Sequence, residues 1–266
     1  MHRPWLTAAC LLVLASMLAA ARADEVAMPA DTPASLGEVP FAAIADQVAA
    51  TPRRWYVSGI IGPSFATLTD DFHADVAGGA VDGTILSGGG AVGLAIARPR
   101  GALRLEFEGR SRGTLRDSVN VDDPSGLDGR LEWSAGNGWS TMANLWRDLM
   151  LNDRFGVYLG GGIGAGGYRY DATGAVSDGE FTDEFSGSSQ VATFAWQVGG
   201  GAIWAINDRI TFDVGYRFYS LQPSDTTIFV SDGFVSEPLG GSQHCFSASE
   251  LMFSLRIYDP FRRWTR

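Results

Sequence analysis

Nine charged side chains hold the main chemical interest of this sequence. Arg104, Glu106, Glu108, Arg110 and Arg112 occupy every second position of one segment, and Asp213 with Arg217, then Glu250 with Arg256, recur at even spacing in two later segments. Alternate residues of an extended chain share a face, so each segment aims its charges one way. Five guanidinium groups against four carboxylates can face water on a soluble sheet, or meet inside a closed barrel as an arginine–carboxylate network. Isolated buried charges are costly, so an interior must pair or hydrate them.

The second candidate chemistry centres on His244, followed by Cys245, Ser247, Ser249 and Glu250. A serine nucleophile needs a histidine within hydrogen-bond reach and an acid to orient it. His244 is placed at a loop–strand junction with no recognisable motif around it, so the chain is read as non-enzymatic. His73, His244 and Cys245 offer three metal ligands without a spacing signature. No metal and no cofactor is expected.

The elements that position these residues are strands. The clearest are Ile210-Phe212-Val214-Tyr216-Phe218 and Leu251-Phe253-Leu255-Ile257, each with polar or charged residues interleaved. Eight such segments are expected, near 55–67, 84–97, 102–113, 138–149, 154–169, 190–206, 209–221 and 247–258. Their connections alternate in length. Stretches 68–83, 114–137, 170–189 and 222–246 are long, whereas Arg98 to Gly101, Met150 to Asp153 and Asn207-Asp208 are short. All long loops therefore fall at one end and all tight turns at the other, as in an eight-stranded antiparallel up-and-down barrel. The long loops are acidic, with Asp70, Asp71, Asp82, Asp117, Glu132, Asp171, Glu184 and Asp225 among their residues, and their Gly, Ser, Asp and Thr content reads as mobile. The short-turn end carries Arg98, Arg100, Arg154 and Arg209.

Composition sets the setting. Met1 to Ala23 reads as a secretory signal peptide, with Leu11-Leu12-Val13-Leu14 in its apolar core and Ala21-Arg22-Ala23 as a small-x-small cleavage site. Residues 24–54 read as a periplasmic linker, 55–258 as the barrel and 259–266 as a tail. The formal charge of the chain is −10 and all twenty basic side chains are arginine. Such an acidic balance excludes nucleic acid as an expected partner. Cys245 is the one cysteine after the leader, which excludes an intrachain disulfide. Glycine is abundant, 34 of 266 residues, and clusters inside the alternating segments, as in Gly160-Gly161-Gly162 and Gly199-Gly200-Gly201. Trp55, Tyr56, Trp139, Trp146, Tyr168, Tyr170, Trp204, Tyr219, Tyr258 and Phe261 fall near strand ends, where a membrane barrel gathers aromatic girdles.

Several stretches resemble the small outer-membrane β-barrel proteins of Gram-negative bacteria, the opacity-type and porin-family surface proteins built on the OmpA-type eight-stranded barrel. They are WYVSGIIGPSF (55–65), LRLEFEGRSR (103–112), VYLGGGIGAGGYRY (157–170), FAWQVGGGAIWAINDRITFDVGYRFYSL (194–221) and ELMFSLRIY (250–258). The resemblance implies a monomeric transmembrane barrel in the cell outer membrane. It implies contact with outer-membrane lipid and lipopolysaccharide, with the barrel assembly machinery, and with an unidentified extracellular ligand. The implied role is structural or surface-interacting. The alternatives are a narrow porin-like channel, a lipid A-modifying enzyme and a soluble lipocalin-like binding barrel. One departure is that Asp259-Pro260 ends the last strand before the chain does.

Overall fold

The computed structural model describes residues 52–71, 80–122, 128–177, 182–231 and 236–261. The leader, most of the 24–54 linker, His73 and the last residues of the tail lie outside the described residues.

The described chain is almost entirely antiparallel β structure. Its strands are β1 (Arg53–Asp70), β2 (Val81–Arg98), β3 (Gly101–Arg112), β4 (Leu115–Asp122), β5 (Asp128–Met150), β6 (Phe155–Ser177), β7 (Thr182–Ala205), β8 (Ile210–Leu221), β9 (Ser224–Ser231) and β10 (Ser236–Tyr258). Eight of them form a ring in the order β1-β2-β3-β5-β6-β7-β8-β10, closed because β10 pairs back onto β1 from Tyr56↔Tyr258 to Asp70↔His244. Closure removes the free edges that an open sheet would present. The short turns lie where the sequence places them, around Pro99-Arg100, Leu151 to Arg154 and Ile206 to Arg209.

The long connections differ from expectation. Their described residues are mostly paired strand. β4 pairs with β5, β9 pairs with β10 and touches β7, and β6 pairs with β7 as far as Ser177↔Thr182. The apolar alternation that marks the lower segments is replaced there by outward Thr, Ser and Asp, which resembles loop composition although the backbone stays paired.

The reason is an exchange of polarity between the two faces. On β1 the outward residues are mainly Trp55, Val57, Ile61 and Phe65, then change to Thr67 and Thr69; the inward ones run Tyr56, Ser58, Ile60, Gly62 and Ser64, then change to Ala66 and Leu68 before Asp70. On β10 the outward Ile257, Leu255, Phe253 and Leu251 give way to Ser249 and Ser247, while the inward Arg256, Ser254, Met252 and Glu250 give way to Ala248 and Phe246. The lower half is therefore apolar outside and charged inside. The upper half is polar outside and encloses an apolar core that includes Leu68, Ile85, Leu115, Trp133, Ile228 and Phe246.

Two local irregularities keep the upper core facing inward. A one-residue slip between Gly136 and Trp139 of β5, with Asn137 at φ 52°, resets the alternation so that Trp133 and Leu131 turn inside. A bulge adds one residue to one strand and so flips the face of all that follows. The Gly113-Thr114 step between β3 and β4 does the same, bringing Leu115 inward after Arg112.

Candidate functional site

The inward face of the lower half carries the charge that the sequence marks. Eight strands leave an interior that side chains can fill. The bulky ones come from β3, β5, β8 and β10, while β2, β6 and β7 contribute glycine opposite them. Gly160 faces Trp146 and Gly199 faces Arg217; a Cβ at either would stand within 2.8 Å of those side chains. The glycine-rich strands thus make room for the charged ones.

All nine sequence-marked residues, Arg104, Glu106, Glu108, Arg110, Arg112, Asp213, Arg217, Glu250 and Arg256, lie inside and are buried. In the upper tier Glu250 accepts from Arg110 Nη1 at 2.6 Å, from Arg112 Nε at 2.9 Å and from Ser64 Oγ at 3.2 Å. Glu108 pairs with Arg217 and lies 3.6 Å from Arg110. Glu106 accepts from Tyr56 at 2.8 Å and from Asn144 and Trp146 at 3.2 Å. In the lower tier Arg256 bridges Asp213 at 2.6 Å and Asp148 at 3.0 Å, and Arg104 donates to the other Asp148 oxygen at 2.9 Å. Ring faces share the work: the Arg112 guanidinium carbon sits 3.7 Å from the Tyr219 ring centre and that of Arg217 4.7 Å from Trp146.

Asp148 is the residue the sequence reasoning missed. With it the network holds five arginines and five carboxylates. Two signals were available. The count of the marked residues left one arginine in excess, and Asn144, Trp146 and Asp148 alternate on one face of their segment. Asn144 and Gln197 were missed as well; Gln197 donates to Asn144 Oδ1 at 2.7 Å and so links β7 to the network. Polar links of this kind satisfy the remaining lone pairs, which is the condition for a buried ion pair to persist.

The aromatic residues divide differently from expectation. Trp55, Trp139 and Trp204 are exposed on the outer surface. Tyr56, Trp146, Tyr168, Tyr170 and Tyr219 are buried inside instead, because the glycine strands leave space that large rings fill.

His244 is not at a loop–strand junction. It sits within β10 inside the upper core, fully buried. Its Nδ1 is 2.6 Å from the Tyr168 hydroxyl and its Nε2 is 2.8 Å from Thr226 Oγ1, while the Tyr170 ring stacks on it at 4.5 Å. Asp70 pairs across the strand and accepts from Ser242 at 3.2 Å. Cys245 points to the opposite face, and its thiol reaches the Leu221 carbonyl. His244 and Cys245 therefore do not converge on one ion, and His73 lies outside the described residues. The arrangement ties β1, β6, β9 and β10 together across the upper interior.

Burial holds the His244 imidazole below its usual range, although Asp70 and Asp225 oppose the shift. The neutral ring is then the folded form, and the unfolded chain binds more protons just below pH 6.5. Stability contributed by this site is present above pH 6.5 and is lost as the pH falls toward the lowered folded value. The amide protection factors of β9 and the upper part of β10, that is, rates corrected for the intrinsic pH dependence of exchange, are expected to fall between pH 7.5 and pH 5 in the native chain, and much less in His244→Gln. An equal fall in both would assign the effect to carboxylates.

Two openings adjoin this interior. At the short-turn end a mouth of about 590 Å³ is floored by Asp148 and Arg256. Beside Trp139 and Arg112 a crevice of about 10 Å³ remains, room for one water at most. Among the described residues no group of His, Cys, Asp and Glu has the geometry of a metal site.

No protein-family profile matches this sequence, and none of the curated proteins matches it. Among solved structures the chain is similar to neisserial surface protein A, at 15% identity and a TM-score of 0.39, over 76% of this chain and 96% of that one. It is similar to the outer membrane protease OmpT of Escherichia coli, at 8% identity and a TM-score of 0.42, over 77% and 96%. It is also similar to Ail, the attachment invasion locus protein of Yersinia pestis, at 14% identity and a TM-score of 0.31, over 75% and 97%.

Proposed function

We propose that this chain is an outer-membrane β-barrel protein with a structural or surface-interaction role. The carrying observation is the exchange of polarity along each strand. From Trp55 to Phe65 the outward residues of β1 are mainly apolar, about the 9–11 residues that a spanning strand requires. Above that level the same strand turns polar outward. A protein wholly in water has no reason to place Ile61, Phe107 and Leu145 outside and Arg104, Glu108 and Arg256 inside over one half of its height. A lipid belt around the lower half supplies that reason. The soluble binding-barrel reading requires an apolar interior throughout, and the lower interior is charged.

The short turns then face the periplasm and the upper half stands outside the cell. Its outer surface is acidic, with Asp82, Glu132, Asp171, Glu184 and Asp225 exposed or half-buried. Strand pairing and the apolar core make this a stiff platform for contact with lipopolysaccharide or another surface partner. The filled lumen and the core above it support a closed barrel over a channel. The buried, hydroxyl-bonded His244 supports a structural role for that residue over a catalytic one.

The test compares two outward positions on one strand, in protein folded into lipid vesicles. Ile61→Arg is expected to cost about 2–4 kcal/mol, the cost of a lipid-facing arginine near the bilayer midplane. Thr69→Arg is expected to be near neutral. Equal tolerance of both substitutions contradicts the belt. In planar bilayers the same preparation is expected to give little or no steady conductance, and large stable channels contradict the closed barrel.

A further inference from the structure

The turn between β2 and β3 gathers three guanidinium groups that the lumen does not use. Arg98 and Arg100 flank Pro99, and both are exposed. Arg147 comes from β5 on the outward face, and its Nη2 donates to the Pro99 carbonyl at 2.9 Å. Register sets Ile96, Leu103 and Arg147 in one outward row, directly below the row of Leu94, Leu105 and Leu145. Arg147 thus leaves an apolar row and runs down to the rim, as a side chain does when its stem lies in hydrocarbon and its head seeks polar surroundings. The neighbouring carboxylate, Asp148, points the other way and is occupied by Arg104 and Arg256.

Arg100 adds a second observation. Its φ is 56°, in the left-handed region where glycine or asparagine is the ordinary occupant of a tight turn. The sequence places an arginine there and puts glycine at the next position. A strained residue that persists at an exposed turn points to use of its side chain. Elsewhere on this rim Arg54 pairs with Asp259 at 2.9 Å, and Arg209 donates to the Asp259 carbonyl at 2.6 Å.

We infer that Arg98, Arg100 and Arg147 form a docking site for an anionic glycerophospholipid. Its phosphate sits among the three guanidinium groups and its acyl chains lie along Leu94, Leu105 and Leu145. The inference rests on the membrane-spanning reading, with the short turns at the inner leaflet. Guanidinium forks match phosphate oxygens two at a time. Three cations held on one turn repel each other, and a lipid with net negative charge relieves that repulsion where a zwitterionic one does not.

The experiment purifies the full chain in detergent, adds phosphatidylglycerol or phosphatidylcholine, and counts bound lipid by native mass spectrometry. Phosphatidylglycerol is expected to be retained in preference to phosphatidylcholine. The double variant Arg98→Gln/Arg100→Gln is expected to weaken its retention roughly thirtyfold, equivalent to about 1 kcal/mol per arginine near a membrane surface. Arg154→Gln, on a different turn, is expected to bind as the native chain does. Arg100→Gly separates lipid contact from turn structure: glycine accepts the backbone angle, so thermal stability should hold while lipid retention falls.

Equal retention of the two lipids overturns the inference. So does unchanged retention in the double variant, or displacement of the lipid by glycerol 3-phosphate alone. Failure of the spanning reading is seen separately, as a protein that stays dissolved without detergent and whose gel mobility is unaffected by boiling.

Discussion

Glu250→Ala is expected to destabilise the barrel by about 3–5 kcal/mol, the cost of removing one partner from a buried charge cluster. Glu250 is fully buried and is the carboxylate to which both Arg110 and Arg112 donate most closely. Its loss leaves Arg112 without its carboxylate partner and Arg110 with Glu108 alone, 3.6 Å away. The comparison is Glu132→Ala, which breaks an ion pair with Arg130 whose side chains are both 58% exposed. Exposed pairs contribute about 0–1 kcal/mol because water screens them. Urea unfolding in vesicles, followed by tryptophan fluorescence, measures both. A loss below about 1 kcal/mol for Glu250→Ala would mean that water replaces the carboxylate in the lumen, and the network would then be hydrated rather than packed.

Trp133→Ala should be as costly but more local. The indole is 2% exposed in the upper core, and truncating a large buried aromatic costs about 3–5 kcal/mol. The upper core is a separate apolar cluster from the two small ones of the lower half, and reaches down as far as Met142, opposite Glu108. The effect should therefore appear as faster amide exchange and easier proteolysis in β4, β9 and the upper part of β5. The lower rows of β1, β2 and β3 should keep their protection, as sub-global opening allows. Uniform loss of protection would show that the two halves unfold as one unit.

Much of the architecture was legible because strand periodicity reports solvent. Leu103, Leu105 and Phe107 against Arg104, Glu106 and Glu108 distinguish two faces of one strand, and repeated segments of that kind, with alternating short and long connections, point to the ring of eight. The inward charges could be named before any contact was known, since a face with five charges has few environments open to it. The upper half was not legible in the same way. Thr67, Thr69, Ser247 and Ser249 look like loop residues, and the bulge at Gly136 to Trp139 breaks the alternation where a reader would follow it. His244 was misplaced for that reason: the segment around it lacks an apolar outward face, although its inward neighbours Phe246 and Ala248 are buried core residues.

The sequence by itself determined the strands, the two ends and which face of the strands carries the charges, because these follow from the local order of polar and apolar side chains. Tertiary structure decided which charges meet, and it added Asp148 to complete the pairing. It also decided that the described parts of the long connections are mostly strand and that the upper interior is an apolar core tied together by His244. Those facts depend on register between segments far apart in the chain. A one-residue slip at β5 reverses the face of every residue beyond it, and local composition does not specify whether such a slip occurs.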